Sequence, residues 1–99
     1  MSNIKELKSG LKKEGINTKI RFDLIPLELL EAISKQFMYG ANKYGERNWQ
    51  KSTKEESKIF KEAALRHCLK WIHNIKDGEE HGIACITNII MFEYINKND

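Results

Sequence analysis

The sequence predicts an all-α fold, a small bundle of three main helices that is completed by oligomerisation. Three segments carry apolar residues at helical spacing, and no segment alternates long enough to predict a strand. The one proline, Pro26, stands where a helix can begin. A chain of 99 residues has room for one domain. We expect a polar lead over residues 1–18 and one all-α domain over residues 19–99.

The lead has a weak helical pattern. Ile4, Leu7 and Leu11 recur at helical spacing and favour a short amphipathic helix. Gly10 and Gly15 argue against a longer one, because glycine destabilises a helix interior. We expect this end to fray or to dock on a partner subunit.

The first main helix is predicted over residues 26–42. Pro26 lacks an N–H, which would be unpaired at a helix start in any case, and it pushes Ile25 to an extended conformation. Residues at helical spacing then line one face: Leu27, Leu30, Ile33 and Phe37. A loop over residues 44–52 should follow, with Gly40 and Gly45 as hinges.

The second and third helices are predicted over residues 54–76 and 79–96. Thr53 and Glu56 have the spacing of a capping box, in which each side chain accepts a hydrogen bond from the other residue's N–H. Gly78 is expected to end the second helix. Apolar residues on more than one side of these helices favour a homo-oligomer, a dimer or higher.

Composition excludes several classes of protein. A net charge of +3 is too small to predict binding of duplex nucleic acid, where a clustered basic face is expected. No apolar run approaches the length of a membrane span. Cys68 and Cys85 each lie in an apolar helical pattern, which is typical of buried free thiols in a reducing cytoplasm. We therefore expect a cytoplasmic protein with no membrane partner.

The segment from Phe37 to Trp49 is unlike an ordinary connection between helices. Aromatic faces can stack on a base, and Lys and Arg can bind phosphates. The segment interleaves both kinds of side chain: Tyr39, Lys43, Tyr44, Arg47, Asn48 and Trp49. The alternative is a long loop whose aromatic rings pack under neighbouring helices.

Three runs carry a resemblance to a known family: Arg-Phe-Asp-Leu-Ile-Pro at 21–26, Tyr-Gly-Ala-Asn-Lys-Tyr-Gly-Glu-Arg-Asn-Trp at 39–49, and Ala-Ala-Leu-Arg-His at 63–67. They resemble the phage-encoded dATP/dGTP diphosphohydrolases, which look related to the MazG-like all-α nucleotide pyrophosphatases. The resemblance extends from about Lys19 to Tyr94. It implies a purine nucleotide as ligand and, for a phage protein, the host cytoplasm as location.

The resemblance and the chain's polar residues together suggest a site. Nucleotide-contacting residues are expected to be Lys43, Tyr44, Arg47, Asn48, Trp49, Arg66 and Asn88. His67 and His81 are the candidate catalytic residues. Mg²⁺ is the expected cofactor, because release of pyrophosphate needs a divalent cation on the phosphates. Mg²⁺ prefers oxygen ligands, usually carboxylates. Its candidate ligands are Glu62, Glu79 and Glu80.

Each of these residues also has a structural alternative. Glu79 and Glu80 suit a helix N-terminus, and Glu62 can form a surface ion pair with Arg66 four positions on. His67 can be a satisfied, partly buried histidine. Asn88 lies among isoleucines and must either face solvent or have a polar partner, since burying an unpaired amide is costly.

The third helix departs from the family pattern, which has Glu-Ser-Gly, then His-x-x-His, then Asn. Asn88 and the run Phe-Glu-Tyr at 92–94 match, and His81 falls on the first histidine, but Ala84 stands at the second. The connection before His81 is also shorter. Loss of a polar residue would impair catalysis more than binding.

Three functions follow. The first is a Mg²⁺-dependent pyrophosphohydrolase that converts a purine (d)NTP to monophosphate and pyrophosphate. The alternative is a catalytically degenerate protein that sequesters a cyclic or modified nucleotide as an anti-defence sponge of a bacteriophage. A helical protein-interaction module is the third, and it leaves the aromatic and cationic cluster unexplained.

Overall fold

The computed structural model describes residues 4–10, 12–14 and 19–97, and it confirms an all-α bundle of three helices. Among the residues that the structure describes, two short 3₁₀ helices, Phe22–Leu24 and Asn48–Lys51, lie between the main elements. The main elements in chain order are β1 (Ile4–Glu6), β2 (Lys12–Glu14), α1 (Leu27–Tyr44), α2 (Lys58–Ile72) and α3 (His81–Asn96).

The short amphipathic helix expected in the lead is wrong. β1 and β2 pair as an antiparallel hairpin in which Ile4 stands opposite Glu14. Gly10 has a φ of 88° and donates its N–H to the Leu7 carbonyl at 2.8 Å, which closes a tight turn that a helix cannot contain. Leu11 and Gly15 lie outside the described residues.

α1 begins as the sequence predicts and runs slightly further. Ile25 is extended, and the Pro26 carbonyl accepts hydrogen bonds from the N–H groups of the first helical turn. The helix ends at Tyr44, where Gly45 takes a φ of 105° and donates its N–H to the Ala41 carbonyl. Gly40 lies within the helix, so the chain turns at Gly45 and not at Gly40.

The capping box before α2 is confirmed. The Thr53 N–H donates to Glu56 Oε1 at 3.0 Å, and the Glu56 N–H donates to Thr53 Oγ1 at 3.1 Å. Residues 54–57 form a turn, so regular helix begins later than expected, at Lys58. The cap therefore stabilises the turn that leads into α2.

α2 ends at Ile72 rather than at residue 76. Asn74 has a left-handed φ of 54° and donates its N–H to the Trp71 carbonyl, while the Ile75 N–H donates to the Lys70 carbonyl. These two bonds form a Schellman motif with asparagine in the position usually held by glycine. The helix-ending role expected of Gly78 therefore belongs to Asn74, and Gly78, with a φ of 90°, lies in the connection to α3.

α3 is the central helix, packed along its length against α2 and more briefly against α1. The buried apolar side chains of the described chain lie where α2 and α3 meet: Phe60, Ala64 and Ala84. Many larger apolar side chains on all three helices remain exposed, Leu30, Leu65 and Ile89 among them. Over the described residues, no helix combines the length and apolar character needed to cross a bilayer.

Candidate functional site

A groove with a volume of about 940 Å³ lies between the second half of α1, the loop that follows it, and one face of the α2–α3 pair. We call this the nucleotide groove, after the ligand that the sequence predicts. With the exception of Lys43, it is lined by every residue predicted to contact nucleotide: Tyr44, Arg47, Asn48, Trp49, Arg66 and Asn88.

The loop between α1 and α2 is shaped by its backbone. Arg47 has a left-handed φ of 53°, which turns the chain after Gly45. The Asn48 N–H donates to the Gly45 carbonyl at 3.2 Å, and Ser52 Oγ donates to the Trp49 carbonyl at 2.8 Å. These bonds hold the loop in one path along the groove.

Trp49 is an anchor for this loop rather than an open stacking surface. Its ring contacts Phe37 of α1, with centroids 5.7 Å apart, and Tyr94 of α3, with centroids 5.2 Å apart. Tyr39 and Tyr44 are 69% and 64% exposed and both line the groove. Trp49 therefore packs between helices, as the second of the two alternatives drawn from the sequence expects, whereas Tyr39 and Tyr44 are exposed in the groove.

Two arginines, Arg47 and Arg66, are among the described residues that line the groove. Arg47 lies 3.8 Å from Glu46, a pair that is largely solvent-exposed and therefore weak. Within the described chain Arg66 forms no ion pair with Glu62, so the surface pair suggested by their spacing is absent. Arg66 is therefore available to an anionic ligand.

Lys43 contacts a neighbouring ring on α1 and does not line the groove. Its Nζ lies 5.2 Å from the centroid of the Tyr44 ring, a cation–π contact on the surface of α1. A hydrogen bond with Tyr44 raises the pKa of Lys43. Lys43 is not among the residues that line the groove.

Asn88 has the polar partner that its apolar surroundings require. Its Nδ2 donates to the Ala84 carbonyl at 2.8 Å, one turn earlier on α3. This bond uses the amide nitrogen and fixes the amide at the groove wall. The amide oxygen can still accept a hydrogen bond from another group. Ala84 itself is buried in the α2–α3 contact.

His67 and His81 come together across α2 and α3. Their Nδ1 atoms are 2.9 Å apart, and the side chain of His81 is buried. On its far side, His81 Nε2 lies 2.8 Å from Asp77 Oδ1, which also accepts the Glu79 N–H at 3.1 Å. Sequence reasoning missed Asp77, although an acid four positions before a histidine is a signal that the pair can meet.

The electrostatics of this cluster favour a neutral His67 and an ionised Asp77. Burial lowers the pKa of His67, because the interior disfavours the charged ring. The hydrogen bond from the Glu79 backbone, followed by that from His81, lowers the pKa of Asp77. Lys70 Nζ, at 3.9 Å from Asp77 Oδ2, adds a further positive charge.

The three glutamates expected to hold Mg²⁺ are not brought together in the part of the chain that the structure describes. Glu79 lies beside the histidine pair, with an oxygen 3.9 Å from His81 Nδ1, whereas Glu62 and Glu80 are exposed and outside that cluster. The groups that converge are two imidazoles and one carboxylate. This donor set does not fit Mg²⁺, which prefers oxygen ligands.

The histidine cluster and the nucleotide groove occupy different stretches of the same helix pair. His81 precedes Asn88 by two turns of α3, about 10 Å along the helix axis. Neither His67 nor His81 lines the groove, although Arg66, which does, adjoins His67 in the chain.

Comparison with known proteins supports the resemblance seen in the sequence. The family model described as dATP/dGTP diphosphohydrolase, N-terminal, matches residues 9–99. No curated protein matches the chain, and no solved structure does. Because the family model covers most of its length, the chain belongs to the dATP/dGTP diphosphohydrolase N-terminal family.

Proposed function

We propose that the nucleotide groove binds a purine nucleoside triphosphate. The observation that carries this proposal is the convergence of Arg47 and Arg66 with the exposed rings of Tyr39 and Tyr44 in one groove. Guanidinium groups bind phosphate oxygens with two parallel hydrogen bonds, and tyrosine rings stack on bases. Asn88 adds an amide oxygen that can accept a hydrogen bond from a base or a sugar hydroxyl.

The size of the groove suits such a ligand. Small-molecule sites generally enclose about 300–1,000 Å³, and the groove, at about 940 Å³, is at the large end of this range. Trp49 supports this role indirectly, because its contacts with Phe37 and Tyr94 hold the loop that carries Arg47. We therefore assign Trp49 to positioning the groove wall.

The reaction class that we propose is hydrolysis of dATP or dGTP to the monophosphate and pyrophosphate. Membership of the diphosphohydrolase family supports it. Phosphoryl chemistry of this kind depends on positioning and on neutralising phosphate charge, which the two arginines can provide. His67 and His81 remain candidates for catalysis only if the phosphates extend beyond the groove toward them.

A second candidate function is sequestration of a nucleotide without turnover. Among the described residues that line the groove, Glu46 is the one acid, and an alanine stands at position 84. A groove with cations and aromatic rings but few carboxylates suits binding better than metal-assisted hydrolysis. This candidate would fit a phage protein that removes a signalling nucleotide from its host.

Incubation of the pure protein with dATP, dGTP and the four NTPs tests both candidates. The reactions contain Mg²⁺ or Mn²⁺, and the products are separated by chromatography. Monophosphate and pyrophosphate in equal amounts would support the hydrolase. Unaltered nucleotide recovered after denaturing the protein would support sequestration. Neither product nor bound nucleotide would contradict the hydrolase, and the same recovery experiment with cyclic dinucleotides would then decide the sequestration candidate.

We further propose that the active form is a homo-oligomer. The described chain buries few large apolar side chains, while helix faces of α1, α2 and α3 expose many, such as Leu27, Leu69 and Ile90. Exposed apolar surface of this extent is typical of an interface between subunits. Multi-angle light scattering that finds a monomer at micromolar concentration would contradict this proposal.

A further inference from the structure

We propose that His67, His81 and Glu79 form a binding site for a transition-metal dication of the Zn²⁺ class, held between α2 and the start of α3. This site is separate from the nucleotide groove and does not depend on the proposed function. It also differs from the Mg²⁺ site expected from the sequence, because two of its three donors are imidazole nitrogens.

The separation of the two ring nitrogens matches that of two ligands on one ion. Nitrogens bound to Zn²⁺ at about 2.05 Å are about 2.9 Å apart at a right angle and about 3.3 Å apart at a tetrahedral angle. The Nδ1 atoms of His67 and His81 are 2.9 Å apart, and the rings are inclined by 31°. The two nitrogens are therefore already at the spacing of two ligands on one ion, and a rotation of the rings would direct both lone pairs to it.

Asp77 orients the His81 ring so that Nδ1, and not Nε2, is the nitrogen that can bind a metal ion. An ionised carboxylate can only accept hydrogen bonds, so His81 Nε2, at 2.8 Å from Asp77 Oδ1, carries the ring hydrogen. The other ring nitrogen, Nδ1, faces His67 and is the atom that would bind an ion. A carboxylate behind a ligating histidine is the usual outer partner in metal sites, where it fixes ring orientation and raises basicity.

The remaining groups complete the set of ligands. His67 offers a second lone pair from Nδ1 when its own hydrogen is on Nε2. Glu79 offers a carboxylate oxygen 3.9 Å from His81 Nδ1, and its side chain is 62% exposed and free to rotate. All three donor atoms lie within 4.8 Å of one another. Three protein ligands leave a position for water or a substrate group.

The geometry arises from the way the chain turns between the helices. The left-handed Asn74 ends α2, and the connection then brings Asp77 back over His81. Asp77 also accepts the Glu79 N–H, which places Glu79 beside the histidine pair. The alternative explanation is a simple N–H···N hydrogen bond between the two imidazole rings, which requires no ion.

Metal binding by the untagged, metal-stripped chain separates these explanations. We expect equilibrium dialysis to find about one Zn²⁺ or Co²⁺ per chain, with Co²⁺ giving visible absorption from a site of mixed nitrogen and oxygen ligands. Millimolar Mg²⁺ should not displace either ion. Failure of the wild-type chain to bind Zn²⁺ or Co²⁺ would overturn the proposal.

Variants locate the bound ion. His67→Gln and Glu79→Gln should each weaken Zn²⁺ binding by about tenfold or more, and Asp77→Asn by about 10–100-fold. Glu79 is exposed, so its variant tests the site even if substitution of a histidine disturbs the fold. His73→Gln is the matched control, because His73 is an exposed histidine outside the cluster. Equal affinity in wild type, His67→Gln and Glu79→Gln would overturn the assignment.

Discussion

The indole ring of Trp49 meets the phenol ring of Tyr94 edge-on, with centroids 5.2 Å apart and ring planes at 78°. Trp49 belongs to the loop that carries Arg47, and Tyr94 to the last turns of α3. The contact therefore ties the loop side of the groove wall to the central helix, 45 positions away in the chain. An edge-on pair of this kind contributes about 0.5–1.5 kcal/mol beyond the area that it buries.

Tyr94 does not line the groove, but its contact with Trp49 should stabilise the loop that does. We expect Tyr94→Ala to lower the free energy of unfolding by about 1–2 kcal/mol, because the ring contact and some apolar burial are lost. Urea denaturation followed by tryptophan fluorescence measures this change. Tyr39→Ala is the control, since Tyr39 is 69% exposed, and its effect should be much smaller. Equal losses in the two variants would contradict the anchoring role of Tyr94.

The capping box should contribute measurably to stability. Thr53→Ala removes the acceptor for the Glu56 N–H, and such a change at a helix start costs about 1 kcal/mol. Chemical denaturation monitored by circular dichroism gives the value. Thr53→Ser keeps a hydroxyl oxygen and should retain most of the stability. A serine variant as unstable as the alanine variant would show that the hydroxyl is not what matters.

Ser57 and Asn96 join the start of α2 to the end of α3. Asn96 Nδ2 donates to Ser57 Oγ at 3.0 Å, and the Ser57 hydroxyl donates to the Lys54 carbonyl, with Ser57 fully buried. Ser57→Ala should cost about 1–2 kcal/mol, because the Lys54 carbonyl loses the hydroxyl that donates to it and Asn96 Nδ2 keeps only its bond to the Phe92 carbonyl.

A double-mutant cycle isolates the Ser57–Asn96 bond. The variants are Ser57→Ala, Asn96→Ala and both together, and we expect a coupling energy of about 1 kcal/mol. Strictly additive effects would mean that the hydrogen bond does not link the two helix ends.

The thiol of Cys85 should be slow to react. Burial, together with the neighbouring Cys68, raises the pKa of Cys85, so less of the nucleophilic thiolate exists at pH 8 than in an unhindered cysteine. We expect alkylation by iodoacetamide to be much slower in the folded chain than in urea, and to accelerate as pH rises through the raised pKa. Mass mapping of the modified peptide gives the rate at Cys85. Equal rates in the folded and unfolded chain would contradict this account.

The sequence alone predicted those features of the fold that depend on a local pattern of residues. Helical spacing of apolar residues located all three helices, and Thr53 with Glu56 identified the cap that the structure contains. Most of the residues named in the aromatic and cationic run before α2 also line one groove, because neighbouring residues in one loop reach the same space. These features need no knowledge of how the helices pack.

Features that depend on contacts between distant residues were not predictable in the same way. Gly78 is the stronger helix-ending signal in sequence, yet Asn74 ends α2, because two backbone bonds form one turn earlier. Asp77 acquires its role only when the turn returns it to His81. Lys43 adjoins a groove residue, but its position on α1 directs it to the Tyr44 ring instead.

Calorimetric titration of dATP into wild type, Arg66→Ala and Arg21→Ala tests the nucleotide groove most directly. Arg66 lines the groove, whereas Arg21 pairs with Asp23 on the surface and is the matched control. Loss of a charge-assisted bond to phosphate should weaken the affinity of Arg66→Ala by about 10–100-fold, with Arg21→Ala close to wild type. Equal affinities in all three proteins, or no binding by wild type, would contradict the assignment of this groove to a nucleotide.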